Sequence, residues 1–307
     1  MKPPIIRIFE RAGIVFGIML CARMAAPVVS SAQEPEANRV PPAHFHHVHL
    51  NVADPARTIA YYIKVHGAVP TRYAGVVDAL FTERSFILWN RVDSPPPQSL
   101  NSGIWHIGWG AIDVPSRYRW FQENDVKIYT DLYTLGRTEI TYLEGPDGEV
   151  IEVNTMPHHR FGHVHLLADD VNATVEWYVK HLGVESFRPF VPKPDLSQVR
   201  AWSRSFRIDN VLLIVYNKPD YEPIPPWWKG KPLLQFESSK GTVIDHLAFS
   251  YRDIEPVFQR MQRDGVTVVE PLRRDPRFNH TSFFVEGPDK VLIEIVEAKP
   301  IPEGIWE

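Results

Sequence analysis

Four consecutive residues, His47-Val48-His49-Leu50, recur unchanged at His163-Val164-His165-Leu166. The two copies align without a gap from His47–Gly67 onto His163–Gly183, with Asp54/Asp170, Thr58/Thr174, Tyr62/Tyr178 and Lys64/Lys180 also identical. Further on, Trp105-His106-Ile107-Gly108 answers Asp245-His246-Leu247-Ala248, Gln122 answers Gln262, and Glu144-Gly145-Pro146-Asp147 answers Glu286-Gly287-Pro288-Asp289. A repeat of this kind restricts the chain to folds in which one supersecondary unit is paired with copies of itself. It predicts two homologous domains, residues 43–157 and 160–298, and a length of 307 residues agrees with two.

With 44% hydrophobic and 12% aromatic residues, each domain can bury an ordinary core. Net charge is only -4 and no basic run stands out, so the electrostatic footprint of a nucleic-acid binder is missing and a small-molecule partner is expected instead. Residues 1–32 read as a secretory signal peptide. Lys2, Arg7 and Arg11 precede the apolar run Ala12–Leu20, and Ser30-Ser31-Ala32 offers small residues for cleavage before Gln33. The run is too short to span a bilayer. The expected location is therefore periplasmic or secreted, with no stable membrane insertion after cleavage, and residues 33–42 read as a polar, proline-bearing linker. The single cysteine, Cys21, follows Ile18-Met19-Leu20, which lacks the small residue that precedes a lipoprotein cysteine. The mature chain would then hold no disulfide, thiolate ligand or cysteine nucleophile.

Four similar modules follow. The first has a strand over Val48–Val52, a helix over Pro55–Val65 with Ile59, Tyr62 and Ile63 on its apolar face and Gly67 as its stop, and β-rich sequence over Phe81–Trp89. The second runs from Ile104 to Val153, with a helix over Ser116–Asn124 and a hairpin whose Pro146-Asp147-Gly148 turn joins Glu139–Leu143 to Val150–Val153. The third begins at Phe161, with a helix over Asn172–His181 and strands over Ala201–Phe206 and Val211–Tyr216. The fourth begins at Val243, with a helix over Ile254–Asp264 and a last hairpin joining Ser282–Val285 to Val291–Val296. The segment from Lys218 to Lys240 holds five prolines and Trp227-Trp228, and is read as a lid or as a cover for a sheet edge.

Strand alternation puts His47 and His49 on one face and Val48 and Leu50 on the other; the same holds for His163 and His165. Glu152 likewise points away from Ile151 and Val153, and Glu294 away from Ile293 and Ile295. One glutamate between apolar neighbours reads as a solvated face, but a glutamate that recurs with the same histidines in both copies points to two metal sites.

These modules, with His in HVHL, His in WHIG or DHLAF, and Glu in GPDGEVIEV or GPDKVLIEI, resemble the vicinal oxygen chelate superfamily of glyoxalases, extradiol dioxygenases and bleomycin-binding proteins over residues 43–298. The resemblance implies an α+β fold of tandem domains, each of two βαβββ modules forming an open, cup-shaped mixed sheet. It also implies metal ligands His47, His106 and Glu152 in the first domain, and His163, His246 and Glu294 in the second. Two histidines and a carboxylate leave open positions, which suits Fe(II) first and also accommodates Mn(II), Ni(II), Co(II) or Zn(II). The fourth ligand of glyoxalase-type sites has no carboxylate counterpart in Phe86–Trp89 or Val211–Ile214. Extradiol enzymes place a tyrosine ten residues before the glutamate; Tyr142 stands there in the first copy and Phe284 in the second. Tyr133 and Asp275 occupy the place of those enzymes' acid-base histidine. His280, sharing a face with Ser282 and Phe284, is a candidate base, and His49 and His165 are candidates for groups beside the metal. His44, His46, His66, His158, His159 and His181 are assigned no role. The expected function is that of an exported metal-dependent enzyme, glyoxalase- or dioxygenase-like, on a small oxygen-chelating substrate, with His280 and the long loop favouring the second copy as the active one. A non-catalytic binding protein of the bleomycin-resistance kind is the alternative.

Overall fold

The computed structural model describes residues 40–94, 101–186, 203–218 and 235–298. The expected signal peptide, most of the linker and Trp227-Trp228 lie outside the described residues. The first module comprises β1 (His44–Val52), α1 (Pro55–His66), β2 (Val69–Tyr73), β3 (Val77–Phe81) and β4 (Phe86–Arg91). The second comprises β5 (Ile104–Ala111), α2 (Val114–Glu123), β6 (Ile128–Leu135), β7 (Thr138–Glu144) and β8 (Val150–Thr155). The third comprises β9 (Phe161–Ala168), α3 (Val171–Leu182), β10 (Glu185–Ser186), β11 (Ser203–Ile208) and β12 (Val211–Asn217). The fourth comprises β13 (Ile244–Tyr251), α4 (Glu255–Arg263), β14 (Val268–Asp275), β15 (His280–Glu286) and β16 (Leu292–Glu297).

The repeated residues explain the repeated helices. Asp54 caps α1 by accepting the N–H groups of Ala56 and Arg57, and Asp170 caps α3 through Asn172 and Ala173. Each helix ends at a glycine in the left-handed region, Gly67 with φ 68° and Gly183 with φ 66°, where any side chain would be strained.

The fold is α+β, with two eight-stranded mixed sheets, but the modules pair differently from the expectation. One sheet has the order β14-β15-β16-β13-β1-β4-β3-β2, so it joins the fourth module to the first. The other, β10-β11-β12-β9-β5-β8-β7-β6, joins the third to the second. The seams are antiparallel pairs, β1 with β13 and β5 with β9. Connection length accounts for this. Only residues 156–160 separate β8 from β9, which holds the middle modules side by side, whereas 92–103 and 218–243 are long enough for the outer modules to reach each other. We call the face of the first sheet turned away from the helices the terminal cup and that of the second the central cup.

The first and second modules, and likewise the third and fourth, meet through helices and turns instead. Asp147, in the second module's hairpin turn, accepts from the Ala53 N–H, the Arg57 guanidinium and the Thr58 hydroxyl at the start of α1. Asp289 repeats the contact in the second half, accepting from the Asp169 N–H and the Thr174 hydroxyl. That is why Thr58 and Thr174 are identical. Beside Asp147, buried Glu149 accepts a hydrogen bond from the Tyr62 hydroxyl at 2.8 Å. In the second copy Val291 stands in place of Glu149, and the Tyr178 hydroxyl is buried without a hydrogen-bond partner among the described residues. The apolar faces of the central strands, Val48, Leu50, Val164, Leu166, Ile151 and Ile293 among them, pack into one core with the helices. Phe45 ties the two sheets across it, 5.8 Å from Phe161 and 5.7 Å from Phe249 between ring centroids.

Candidate metal centres

Alternation leaves the histidines and glutamates on the faces opposite that core, as expected, and the cross-pairing of modules decides which of them meet. The ligand sets implied by sequence, His47 with His106 and Glu152, and His163 with His246 and Glu294, do not form. The terminal cup instead gathers His47, His246 and Glu294, and the central cup His106, His163 and Glu152. The opening-strand histidine is exchanged between the two sets, because β1 and β9 have exchanged sheets.

In the terminal cup, His47 Nε2 and His246 Nε2 stand 3.3 and 3.4 Å from Glu294 Oε2. Neither nitrogen makes an aligned hydrogen bond, although both are fully buried. His49 faces His246 across the seam, with the rings stacked at 4.4 Å. A second tier surrounds these groups. Asp245 Oδ1 lies 2.6 Å from His246 Nδ1, and His46 Nδ1 lies 2.7 Å from His47 Nδ1. His280 Nε2 is 3.1 Å from Glu294 Oε1, and its Nδ1 is 2.9 Å from the Tyr73 hydroxyl, which is also 3.3 Å from His46 Nε2. His280 therefore does enter a cup, with both ring nitrogens engaged. His46, assigned no role from sequence, lies on β1 and not in a linker; a register shift between Phe45 and His47 turns it inward as well. Tyr73 is missed by sequence reasoning, because Val69-Pro70-Thr71-Arg72-Tyr73 has no apolar alternation to mark it as a strand.

In the central cup, His106 Nε2 is 3.1 Å from Glu152 Oε2, His163 Nε2 is 3.5 Å from Oε1, and His165 Nε2 is 4.0 Å from Oε2. The four could share one ion, all offering ligand atoms within 4.8 Å of one another. Gly108, opposite His163 on the seam, makes the space for it: a Cβ at Gly108 would lie 1.9 Å from His163 Nε2. Support behind the ligands is thin. Asn154 donates to Glu152 Oε1 at 2.8 Å, while His106 Nδ1 and His163 Nδ1 are buried without hydrogen-bond partners among the described residues. Trp105 replaces Asp245 of the other copy. The walls are aromatic: Tyr142 meets His106 edge-on at 5.2 Å, Tyr133 is hydrogen-bonded to Tyr142, and Tyr216 stacks on His165 at 5.1 Å. Phe236, at the described end of the long loop, packs into the cluster of Trp105, Ile140 and Tyr142. The Trp227-Trp228 part of that loop lies outside the described residues.

The electrostatics suit a cation. Burial holds His47 and His163 at about 4, and pushes His49, His106 and His165 down as well, so these imidazoles are neutral with lone pairs to offer. Burial opposes ionisation of Glu294, but the adjacent His246, His280 and His47 imidazoles outweigh it and hold the carboxyl well below its usual range; Glu152 is lowered against burial by His163 and His106. His246 differs. Burial would lower it, yet the Asp245 and Glu294 carboxylates raise it to about 9. Buried imidazoles converging on an ionised carboxylate, with His163 Nε2 lacking a hydrogen-bond partner among the described residues, fit a divalent metal held by two histidines and a glutamate. Among the described residues, β4 and β12 add no carboxylate to either cup.

Comparison with known proteins agrees with this architecture. Residues 160–295 match the family described as Glyoxalase/Bleomycin resistance protein/Dioxygenase superfamily. Glyoxalase I from Zea mays superposes with a TM-score of 0.64 at 20% identity, covering 83% of this chain and 92% of that one. A mutant form of the same Zea mays enzyme superposes at 0.63, also at 20% identity, covering 83% and 92%. A protein of Bacillus subtilis subsp. subtilis str. 168, named a dioxygenase only provisionally, superposes at 0.57 with 12% identity, covering 82% and 84%. At these identities the likeness speaks of fold. No curated protein matches the chain significantly in sequence. Residues 160–295 thus carry the sequence signature of the glyoxalase/bleomycin resistance protein/dioxygenase superfamily, and the described chain as a whole shares the fold of glyoxalase I.

Proposed function

We propose that this protein is an exported, metal-dependent enzyme, glyoxalase- or dioxygenase-like, acting on a small molecule that chelates a metal through two oxygens. The observation that carries the reading is the convergence of buried His106, His163 and Glu152 beneath an aromatic wall, with His163 Nε2 making no aligned hydrogen bond. A divalent ion held there, Fe(II) first among the candidates, would act as a Lewis acid or as the meeting point of substrate and dioxygen. The chain's own groups do the rest. Tyr142, within ring contact of His106 and hydrogen-bonded to Tyr133, presents a hydroxyl that can hold a proton on a substrate oxygen. Tyr133, Tyr216 and Phe236 exclude water around it. This favours the central cup for turnover. His280, expected to be a base, already has both nitrogens bonded in the other cup.

Metal analysis of the purified protein, followed by oxygen uptake with catechols and turnover of 2-oxoaldehydes, tests the reading. Two metal equivalents per chain and activity on one substrate class, lost in Glu152→Ala, are expected. A folded protein that takes up none of Fe(II), Mn(II) and Zn(II) would refute it. Export rests on residues 1–32: secreted or periplasmic protein should begin at Gln33, and a soluble cytoplasmic form beginning at Met1 would overturn that part.

A further inference from the structure

The two cups offer the same three ligands but differ in everything behind them. In the terminal cup the contacts close a circuit: Glu294 Oε1 to His280 Nε2, His280 Nδ1 to the Tyr73 hydroxyl, that hydroxyl to His46 Nε2, His46 Nδ1 to His47 Nδ1, and His47 Nε2 back to Glu294 Oε2. Every member is buried. Asp245 fixes the remaining histidine, His246, from behind. Each ligand is thus oriented by a partner on its far side, and Glu294 Oε2 is the oxygen left facing His47 and His246. Among the described residues the central cup has no such circuit, since the far-side nitrogens of His106 and His163 have no hydrogen-bond partners there.

We propose that the terminal cup is a closed, tight metal centre positioned by Tyr73, His46, His280 and Asp245, and that the central cup is the weaker, exchangeable centre that meets substrate. Partners behind metal-bound histidines and carboxylates fix tautomer and ring orientation, and removing one typically lowers metal affinity about 10–100-fold. Tyr73 is the keystone among them, because it alone bonds both His280 and His46 and touches no ligand itself. The inference rests on the metal reading above and adds a division of labour between the cups.

The test is calorimetric titration of metal-stripped full-length protein with Zn(II), alongside the visible absorption of Co(II) added stepwise. Two classes of site are expected, separated by about tenfold or more. Glu294→Ala should remove the tight class and Glu152→Ala the weak one. Tyr73→Phe, which keeps the ring and deletes only the hydroxyl, should weaken the tight class about 10–100-fold and shift its Co(II) bands while leaving the weak class unchanged. Asp245→Asn gives the same expectation through His246, independently of how Tyr73→Phe folds. Two equal classes, or an unaltered tight class in a folded variant, would overturn this division and leave the metal reading standing. Failure of both cups to bind any ion would overturn both.

Discussion

Glu149 supplies a stability test that needs no substrate. Its carboxyl is buried, accepts from the Tyr62 hydroxyl and from the Asp147 N–H at 3.0 Å, and lies near the Asp147 carboxylate. Burial raises it from 4.5 to about 7, against those hydrogen bonds and with added repulsion from Asp147. A carboxyl whose folded value lies above its unfolded value is bound to its proton more strongly in the native state. Its stabilising contribution is therefore complete below pH 4.5 and is lost as the pH rises to about 7. The difference between those two values corresponds to roughly 3 kcal/mol. Glu149→Gln keeps a neutral acceptor for Tyr62 at every pH, so its stability relative to the parent should improve by about 3 kcal/mol from the acid limb to about pH 8. Urea unfolding followed by tryptophan fluorescence across that range measures the difference, and comparing the two proteins cancels the other titrating groups. A difference independent of pH would show that Glu149 titrates alike in the folded and unfolded states and that the argument from burial is wrong.

Gly108→Ala should place a methyl group against His163, at a cost of about 1–3 kcal/mol, and should reduce metal uptake by the central cup alone; metal analysis beside urea unfolding checks both. Asp147→Ala should cost about 3 kcal/mol, since it strips partners from the Ala53 N–H, Thr58 and Arg57 at once, and the loss should appear as a lower unfolding midpoint in urea. Val291→Glu should give the orphaned Tyr178 hydroxyl the partner that Tyr62 has, and make stability fall from about pH 5 to about pH 8 more steeply than in the parent; an unchanged pH profile would mean that the new side chain points elsewhere.

The repeat makes the modules legible, and alternation alone places every candidate ligand on the correct face. What it leaves open is partnership. Identity between the copies shows that β1 and β9 are equivalent, and equivalence does not say which β5 or β13 each will join. The information is present in the short connection 156–160, which forces the middle modules together, but a repeat boundary looks the same in sequence as a domain boundary. His46 and Tyr73 are hidden for local reasons. A register shift breaks the alternation that would have turned His46 away, and β2 carries a proline and an arginine where a buried strand would show apolar residues. Asp245 is visible as the residue before His246, yet only the fold reveals that it backs the histidine.

Sheet pairing also sets an order in time. The central sheet is built from one continuous stretch, residues 104–217, whereas β1 finds its seam partner only in β13, and Asn51 bonds Asp245 across 194 positions. Closing so large a loop is entropically slow, and strands with distant partners are the last to dock. A nascent chain can therefore complete the central cup while β1 still waits, edge unpaired, for the fourth module to emerge. Truncation anywhere before β13 would leave that waiting edge exposed, the condition that makes a strand prone to pairing with another copy of itself.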